Sequence, residues 1–204
     1  AAIAADPVAE AAGDADVIVL CLGEPPSTEM PGNISDLMIS ESQIELARAA
    51  AATGKPVVAV LVTNRPRLIT PFEADMAGIL WAGHPGPMGP QALAEIVAGE
   101  VNPSGRLPFT YPRHANELLT YDHKRTDAFG PDSSPSGGFD PLFPFGTGLG
   151  YTTFDYEGLE VSLPGLAEAG PSGPVGVSLT VTNTGDRAGA DVVQVYVTDA
   201  VASV

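Results

Sequence analysis

The sequence predicts an α/β layered sandwich with mostly parallel strands, followed by a truncated all-β segment, and two observations carry that reading. Short continuous apolar runs stand at 16–22 (DVIVLCL), 56–62 (PVVAVLV) and 77–83 (AGILWAG), each bounded by Gly, Pro or Asp and separated by helix-forming stretches. Buried runs alternating with helices are the pattern of parallel strands covered on both faces. Past residue 157 the period becomes two, in GVSLTVTN (176–183) and ADVVQVYVTD (190–199). The TGDRAG between them has turn chemistry that suits an antiparallel hairpin or a sandwich corner.

Each element follows from local composition. Residues 1–15 are alanine-rich, which favours a helix, and Gly13 offers its stop. In ISESQIELARAAAATGKP (39–56) Ser40 and Gln43 have capping-box spacing, Ile44, Ala47 and Ala51 can share a face, and Gly54 and Pro56 end the helix. A further helix is predicted over PQALAEIVAGE (90–100), which opens with a first-turn proline. VNPSGRLPFTYPRH (101–114) carries too many prolines to continue it and reads as an ordered loop or edge. Its Asn102–Gly105 turn positions Arg106 and Leu107. Residues 122–140 are polar and include GPDSSPSGG, a linker composition. PLFPFGTGLGYTTFDY (141–156) then sets aromatics around glycines that permit tight turns. The expected division is a partial sandwich domain over 1–118, a linker and docking segment over 119–150, and an incomplete β domain over 151–204.

Composition narrows the function. With 25 acidic against 9 basic residues, a net charge of −16 repels phosphate backbones and anionic lipid, so neither nucleic acid nor a membrane surface is expected as a partner. Cys21 is the sole cysteine, which rules out an internal disulfide, and its place in DVIVLCL predicts a small buried core residue. The N-terminus has neither the cationic start nor the apolar core of an export signal, so any such signal is expected outside these residues, and the compartment stays open. His84, His114 and His123 lack ligand spacing, and FGTGLGY lacks the strand–turn–helix context of a dinucleotide site, so no metal and no cofactor is expected. Trp81 lies in an apolar run and reads as packing rather than as a sugar platform.

The stretch LGEPPSTEMPGNISDL (22–37) sets Glu24 and Glu29 on a proline-kinked loop at the mouth of the first strand, where ligand-facing groups of parallel α/β sheets collect. The residues alone leave both options open: Glu29 a solvated carboxylate or an acid, Glu24 an orienting group at the strand end or an acid.

A resemblance sharpens this choice. GEVNPSGRLPFTYP (99–112), PLFPFGTGLGYTTFDY (141–156) and VTNTGDRAGADVVQVYV (181–197), in that order, with ATGKPVVAVLVTNRP (52–66), resemble the C-terminal part of glycoside hydrolase family 3, the β-glucosidase type. The resemblance implies a three-part architecture, with an (α/β)8 barrel, an (α/β)6 sandwich and often a fibronectin type III-like domain. This chain is similar to the later part of the second unit and the start of the third. The family's nucleophile is an aspartate in a Ser-Asp-Trp-like context on the barrel. Here Ser35-Asp36 is followed by Leu37, so the nucleophile is expected elsewhere.

The family's acid/base glutamate comes from a sandwich-domain loop reading Gly-Glu, four residues, Glu. Gly23-Glu24 and Glu29 fit that spacing, which makes Glu29 the implied catalytic acid/base and Glu24 the second candidate. The sequence departs from the family at Gly32-Asn33-Ile34, where relatives carry an arginine or a Gly-Asp pair, and at Met88, where they carry a glutamate.

The implied function is a share in a retaining, exo-acting β-glycosidase that hydrolyses O-glycosyl bonds of a β-linked glucoside or oligosaccharide. The barrel supplies the other carboxyl about 5 Å away, and the fragment alone is expected to be inactive. The alternative is a non-catalytic sandwich module for binding or scaffolding. Fewer residues follow 151 than the ~100 of a full β-sandwich, so self-association through an unpaired β edge is also expected.

Overall fold

The computed structural model describes residues 5–27, 29–116, 140–163 and 173–197. The linker expected at 122–140 falls almost wholly outside them, as does His123. In order, the elements are α1 (Ala5–Ala12), β1 (Ile18–Gly23), α2 (Glu41–Ala51), β2 (Val57–Val62), β3 (Gly78–Trp81), α3 (Gly89–Val97), β4 (Phe154–Ser162) and β5 (Gly176–Asn183).

Two compact units emerge. The first joins the chain up to Leu93 with Leu107–Thr147, and the second joins Ala94–Arg106 with Gly148–Asp199. Residues 94–106 thus group with the later segment.

In the first unit β1, β2 and β3 form a parallel sheet in that order. Central β2 is buried along most of its length, with Val57, Ala59, Val60 and Leu61 each at most 3% exposed. Burial on both faces does not extend to β1. Leu20 and Leu22 are buried, whereas Val19 is 49% exposed and Cys21 is exposed rather than part of the core. Side chains alternate across a strand, so an edge strand packed on one face leaves every second residue open.

Helix α2 packs Ile44, Ala47 and Ala50 into the core, so Ala50 takes the place foreseen for Ala51. The helix's C-terminal turn closes on Gly54, whose φ of 74° suits glycine. Lys55 caps the neighbouring helix: its Nζ donates to the carbonyls of Ala12 (2.8 Å), Gly13 and Ala15 (2.6 Å) at the end of α1. Residues 107–111 and 142–147 are tied by backbone bonds between Leu107 and Thr147 and between Tyr111 and Phe143. There Trp81, Phe109, Tyr111 and Phe143 form a chain of ring contacts with centroids 4.9–6.0 Å apart. Trp81 also donates Nε1–H to buried Thr63 Oγ1 at 3.1 Å, so it packs rather than presents a platform.

In the second unit β4 pairs antiparallel with β5, with a register irregularity between Glu157 and Glu160 around Gly158. Of the two arrangements expected for TGDRAG, the hairpin does not form among the described residues: β5 takes its partner from the earlier segment, and 191–197 forms no strand. Asp191 explains part of the difference, because its carboxylate is held by Arg106 and Tyr156 and it anchors the segment by its side chain.

Candidate active site

The loop after β1 is built by its two ends. At the start, a Cβ on Gly23 would lie 2.2 Å from the Val62 carbonyl oxygen, so only glycine fits there. Gln43 then clamps this residue from α2. Gly23 N–H donates to Gln43 Oε1 at 2.7 Å, and Gln43 Nε2 donates back to the Gly23 carbonyl at 3.1 Å and to Ser40 Oγ at 2.9 Å. The capping-box pair thus serves the strand end as well as the helix, since Ser40 is the N-cap residue but its hydroxyl bonds no helix N–H.

Glu24 N–H makes one more bond to Val62 O, at 3.1 Å, before Pro25 and Pro26 end the ladder. At the far end Asp36 Oδ1 accepts Met38 N–H at 2.8 Å, a side-chain turn of the Asx kind. Met38 then forms a parallel bridge with Leu68.

One guanidinium spans both ends. Arg67 donates Nη1–H to the Asp36 carbonyl at 3.1 Å and Nη2–H to the Met38 carbonyl at 2.7 Å, while Nη1 stands 3.5 Å from Glu24 Oε1. Arg65 Nε lies 3.6 Å from the same oxygen and donates to Asn64 Oδ1 at 3.0 Å. The separations from Glu24 exceed ordinary hydrogen-bond lengths, so these are charge pairs. The Glu24 side chain is 13% exposed and that of Arg67 14%. Tyr111 O–H donates to the Arg67 carbonyl at 2.6 Å. Burial holds the Tyr111 phenol well above its ordinary range; the Arg67 charge opposes this and the Glu24 charge adds to it.

Glu29 occupies the tip. It precedes a single 3₁₀ turn, Met30–Gly32, and has φ 52° and ψ −143°, positive φ being uncommon outside glycine. Its side chain is exposed and caps nothing. Of the three carboxylates between 23 and 38, the structure engages Glu24 with arginines and Asp36 with backbone, and leaves Glu29 exposed. Ile34 and Met88, at the departures from the family pattern, are 42% and 68% exposed.

Sequence reasoning passed over Arg67 and Tyr111, and read Gln43 only as a helix cap, not as the clamp on Gly23. The signal for Arg67 was present: two of the chain's nine basic residues sit within NRPR (64–67), directly after a strand whose neighbour leads into an acidic loop.

Comparison with known proteins bears on this arrangement. The profile of the Glycosyl hydrolase family 3 C-terminal domain matches residues 2–151. The lysosomal beta glucosidase of Dictyostelium discoideum is 40% identical over 203 residues, which cover 95% of this chain and 24% of that protein. The periplasmic beta-glucosidase of Salmonella typhimurium is 36% identical, over 97% of this chain and 27% of its own length. Among solved structures, a beta-glucosidase from Listeria innocua in complex with glucose superposes with a TM-score of 0.78 at 28% identity, over 91% of this chain and 27% of that one. The chain thus spans about a quarter of the length of the relatives it matches.

Proposed function

Because the chain belongs to glycosyl hydrolase family 3, by that family's C-terminal domain, we propose that it supplies the proton donor of a retaining β-glucosidase-like hydrolase. In this reading an aspartate from a barrel domain of the longer protein attacks the anomeric carbon. The glycosidic C–O bond breaks, and Glu29 gives its proton to the departing oxygen. In the second half, the Glu29 carboxylate takes a proton from water as the water oxygen displaces the aspartate and releases the sugar. The observation that supports the proposal is the exposure of Glu29 on a loop tied at both ends, while Glu24 is already committed to two arginines. Glu24 is accordingly an orienting group.

The test is Glu29→Gln in the full-length protein. With an unactivated alkyl β-glucoside kcat should fall by about 10²–10⁴-fold, the usual worth of general acid–base help. The loss should be smaller with a dinitrophenyl leaving group, which needs no proton. A kcat unchanged on the alkyl glucoside removes Glu29 from the chemistry and favours a non-catalytic module. The isolated 204-residue chain should hydrolyse neither substrate.

The segment from 151 is proposed as the start of a fibronectin type III-like β domain, following the linear division at 118 and 150. Its exposed Leu159 and Val161 on β4 and Val177 on β5 support association between copies through open β edges. Light scattering of the isolated chain should give a mass that rises with concentration; a constant monomer mass argues against such association.

A further inference from the structure

Glu24 has no chemical task in the reading above, yet its surroundings are elaborate. Its carboxylate is paired through Oε1 with Arg67, which already holds the carbonyls of Asp36 and Met38. That one side chain therefore ties residue 24 to residues 36 and 38, the two sides of the neck from which the loop emerges. Around it the neck is stitched by Leu68 N–H to Leu37 O at 2.9 Å and by Asn64 Nδ2–H to Ser27 O at 3.5 Å. The Arg67 backbone is itself fixed by the Tyr111 hydroxyl, and Tyr111 is 1% exposed.

The pairing is not arranged for stability alone. Glu24 Oε2 and Arg67 Nε are both buried without a hydrogen-bond partner among the described residues. Leaving a buried donor and acceptor unused costs free energy, and buried ion pairs often do no better than apolar replacements. Their best-attested use is to fix register, and here the register in question is that of the loop neck.

We propose that Glu24 is a positioning residue: through Arg67 it closes the neck of the 24–38 loop and so fixes where Glu29 presents its carboxyl. This rests on the reading of Glu29 as the proton donor. The physical reason is reach. A carboxyl on a loop tip acts only when held close to the leaving oxygen, and a misplacement of about 1 Å can cost as much as 10²-fold in rate. Pro25, Pro26 and Pro31 restrict the loop internally, which leaves the neck as the joint about which the tip can swing.

The experiment uses the full-length protein and four variants: Glu24→Gln, Arg67→Lys, their double variant, and Glu29→Gln as reference. Amide hydrogen exchange over 26–38 reads the neck without reference to activity, and it should quicken in Glu24→Gln and Arg67→Lys but not in Glu29→Gln. On an alkyl β-glucoside, Glu24→Gln should lower kcat roughly 10- to 100-fold with little change in KM. The double variant should lose no more than the worse single, because both changes break one joint.

Azide separates positioning from proton transfer. Glu29→Gln should accumulate a glycosyl azide with the dinitrophenyl substrate, whereas Glu24→Gln should not, and its pH–rate profile should keep the limb that reports the donor. The proposal is overturned by unchanged loop exchange in Glu24→Gln, by multiplying losses in the double variant, or by azide product from Glu24→Gln. Should Glu24→Gln fail to fold, Glu24→Asp keeps the charge one methylene short, and wild-type exchange in that variant equally overturns it. Full activity in Glu29→Gln would instead sink the proton-donor reading, and the exchange data would still decide the neck.

Discussion

The two units of this chain reach order by different means. Every residue buried among those described belongs to the first unit, where Phe72, Leu61, Ile69 and Tyr111 are each at most 1% exposed. The second unit has large apolar side chains too, but Leu159 is 70% exposed, Val161 63% and Val195 64%. What holds its described residues is polar. Arg106 reaches both Asp191 and the Gly148 carbonyl, Tyr156 donates to Asp191, Asn102 Oδ1 accepts Tyr151 N–H at 2.6 Å, and Tyr151 O–H bonds the Ile96 carbonyl at 2.9 Å. Burial is non-directional and large; polar ties are directional and small in net worth. The first unit is thus the one that can hold a loop to the tolerance chemistry needs.

The largest effect that would test this contrast is loss of core in the first unit. Phe72→Ala should cost about 3–5 kcal/mol, the usual range for emptying a buried aromatic site, read by chemical denaturation and by lost amide protection in β1–β3. A cost below about 1 kcal/mol would mean the site is not a packed core at all. Next in size is Gly23→Ala. The added methyl meets the Val62 carbonyl oxygen at 2.2 Å, so β1 and β2 must part or Gly23 must leave the Gln43 clamp. Overpacking of this kind costs about 1–3 kcal/mol, and it should loosen the loop root, visible as faster exchange at Glu24. Unchanged stability and exchange would show that the two strand ends are not tightly apposed.

How far these features were legible follows the same contrast. The parallel sheet announced itself because central β2 is apolar at every position, and α2 announced itself through Ser40, Gln43 and Gly54. The Glu24–Glu29 spacing was legible as well, as a resemblance. What was not legible depends on contacts between residues far apart in sequence. Nothing in the composition of DVIVLCL tells an edge strand from a central one, so Cys21 read as core. Nothing local in 190–199 reveals that Asp191 is held by Arg106, 85 positions away, and the segment therefore read as a strand. The neck of the loop needed Arg67, 43 residues beyond Glu24 in the sequence, and only the fold brings them together.

A smaller effect comes from the polar hub of the second unit. The bond from the Tyr156 hydroxyl, and then that from Arg106, holds the Asp191 carboxyl below its ordinary value near 3.8. The same bond to Asp191 raises the Tyr156 phenol above its ordinary 10.0. The signs set a window. A lowered carboxyl contributes fully above about pH 3.8, and the contribution disappears as pH falls through the lowered value. A raised phenol contributes below pH 10.0, and its share disappears as pH rises through the raised value. Amide exchange in β4 and β5 should therefore quicken at both extremes. Asp191→Asn should flatten both limbs and return the Tyr156 ultraviolet titration toward its ordinary midpoint. A Tyr156 midpoint unmoved by that substitution would show that Asp191 is not its partner in solution.

The smallest effect qualifies the contrast from the other side, because the first unit also has an open surface. Cys21 is exposed although Leu20 and Leu22 on either side of it are buried, as side-chain alternation on an edge strand requires. Cys21→Ser should therefore change stability by no more than about 0.5 kcal/mol, as at surface sites generally. The wild-type thiol in the folded 204-residue chain should react with a disulfide reagent at close to the rate seen in urea. A thiol that stays protected until the chain unfolds would mean that the outer face of β1 is covered in solution. Protection that disappears on dilution would assign the cover to a second copy, and protection that persists in dilute solution would assign it to the chain itself. The second result would make the first unit closed on both sides, and would widen the difference between the units.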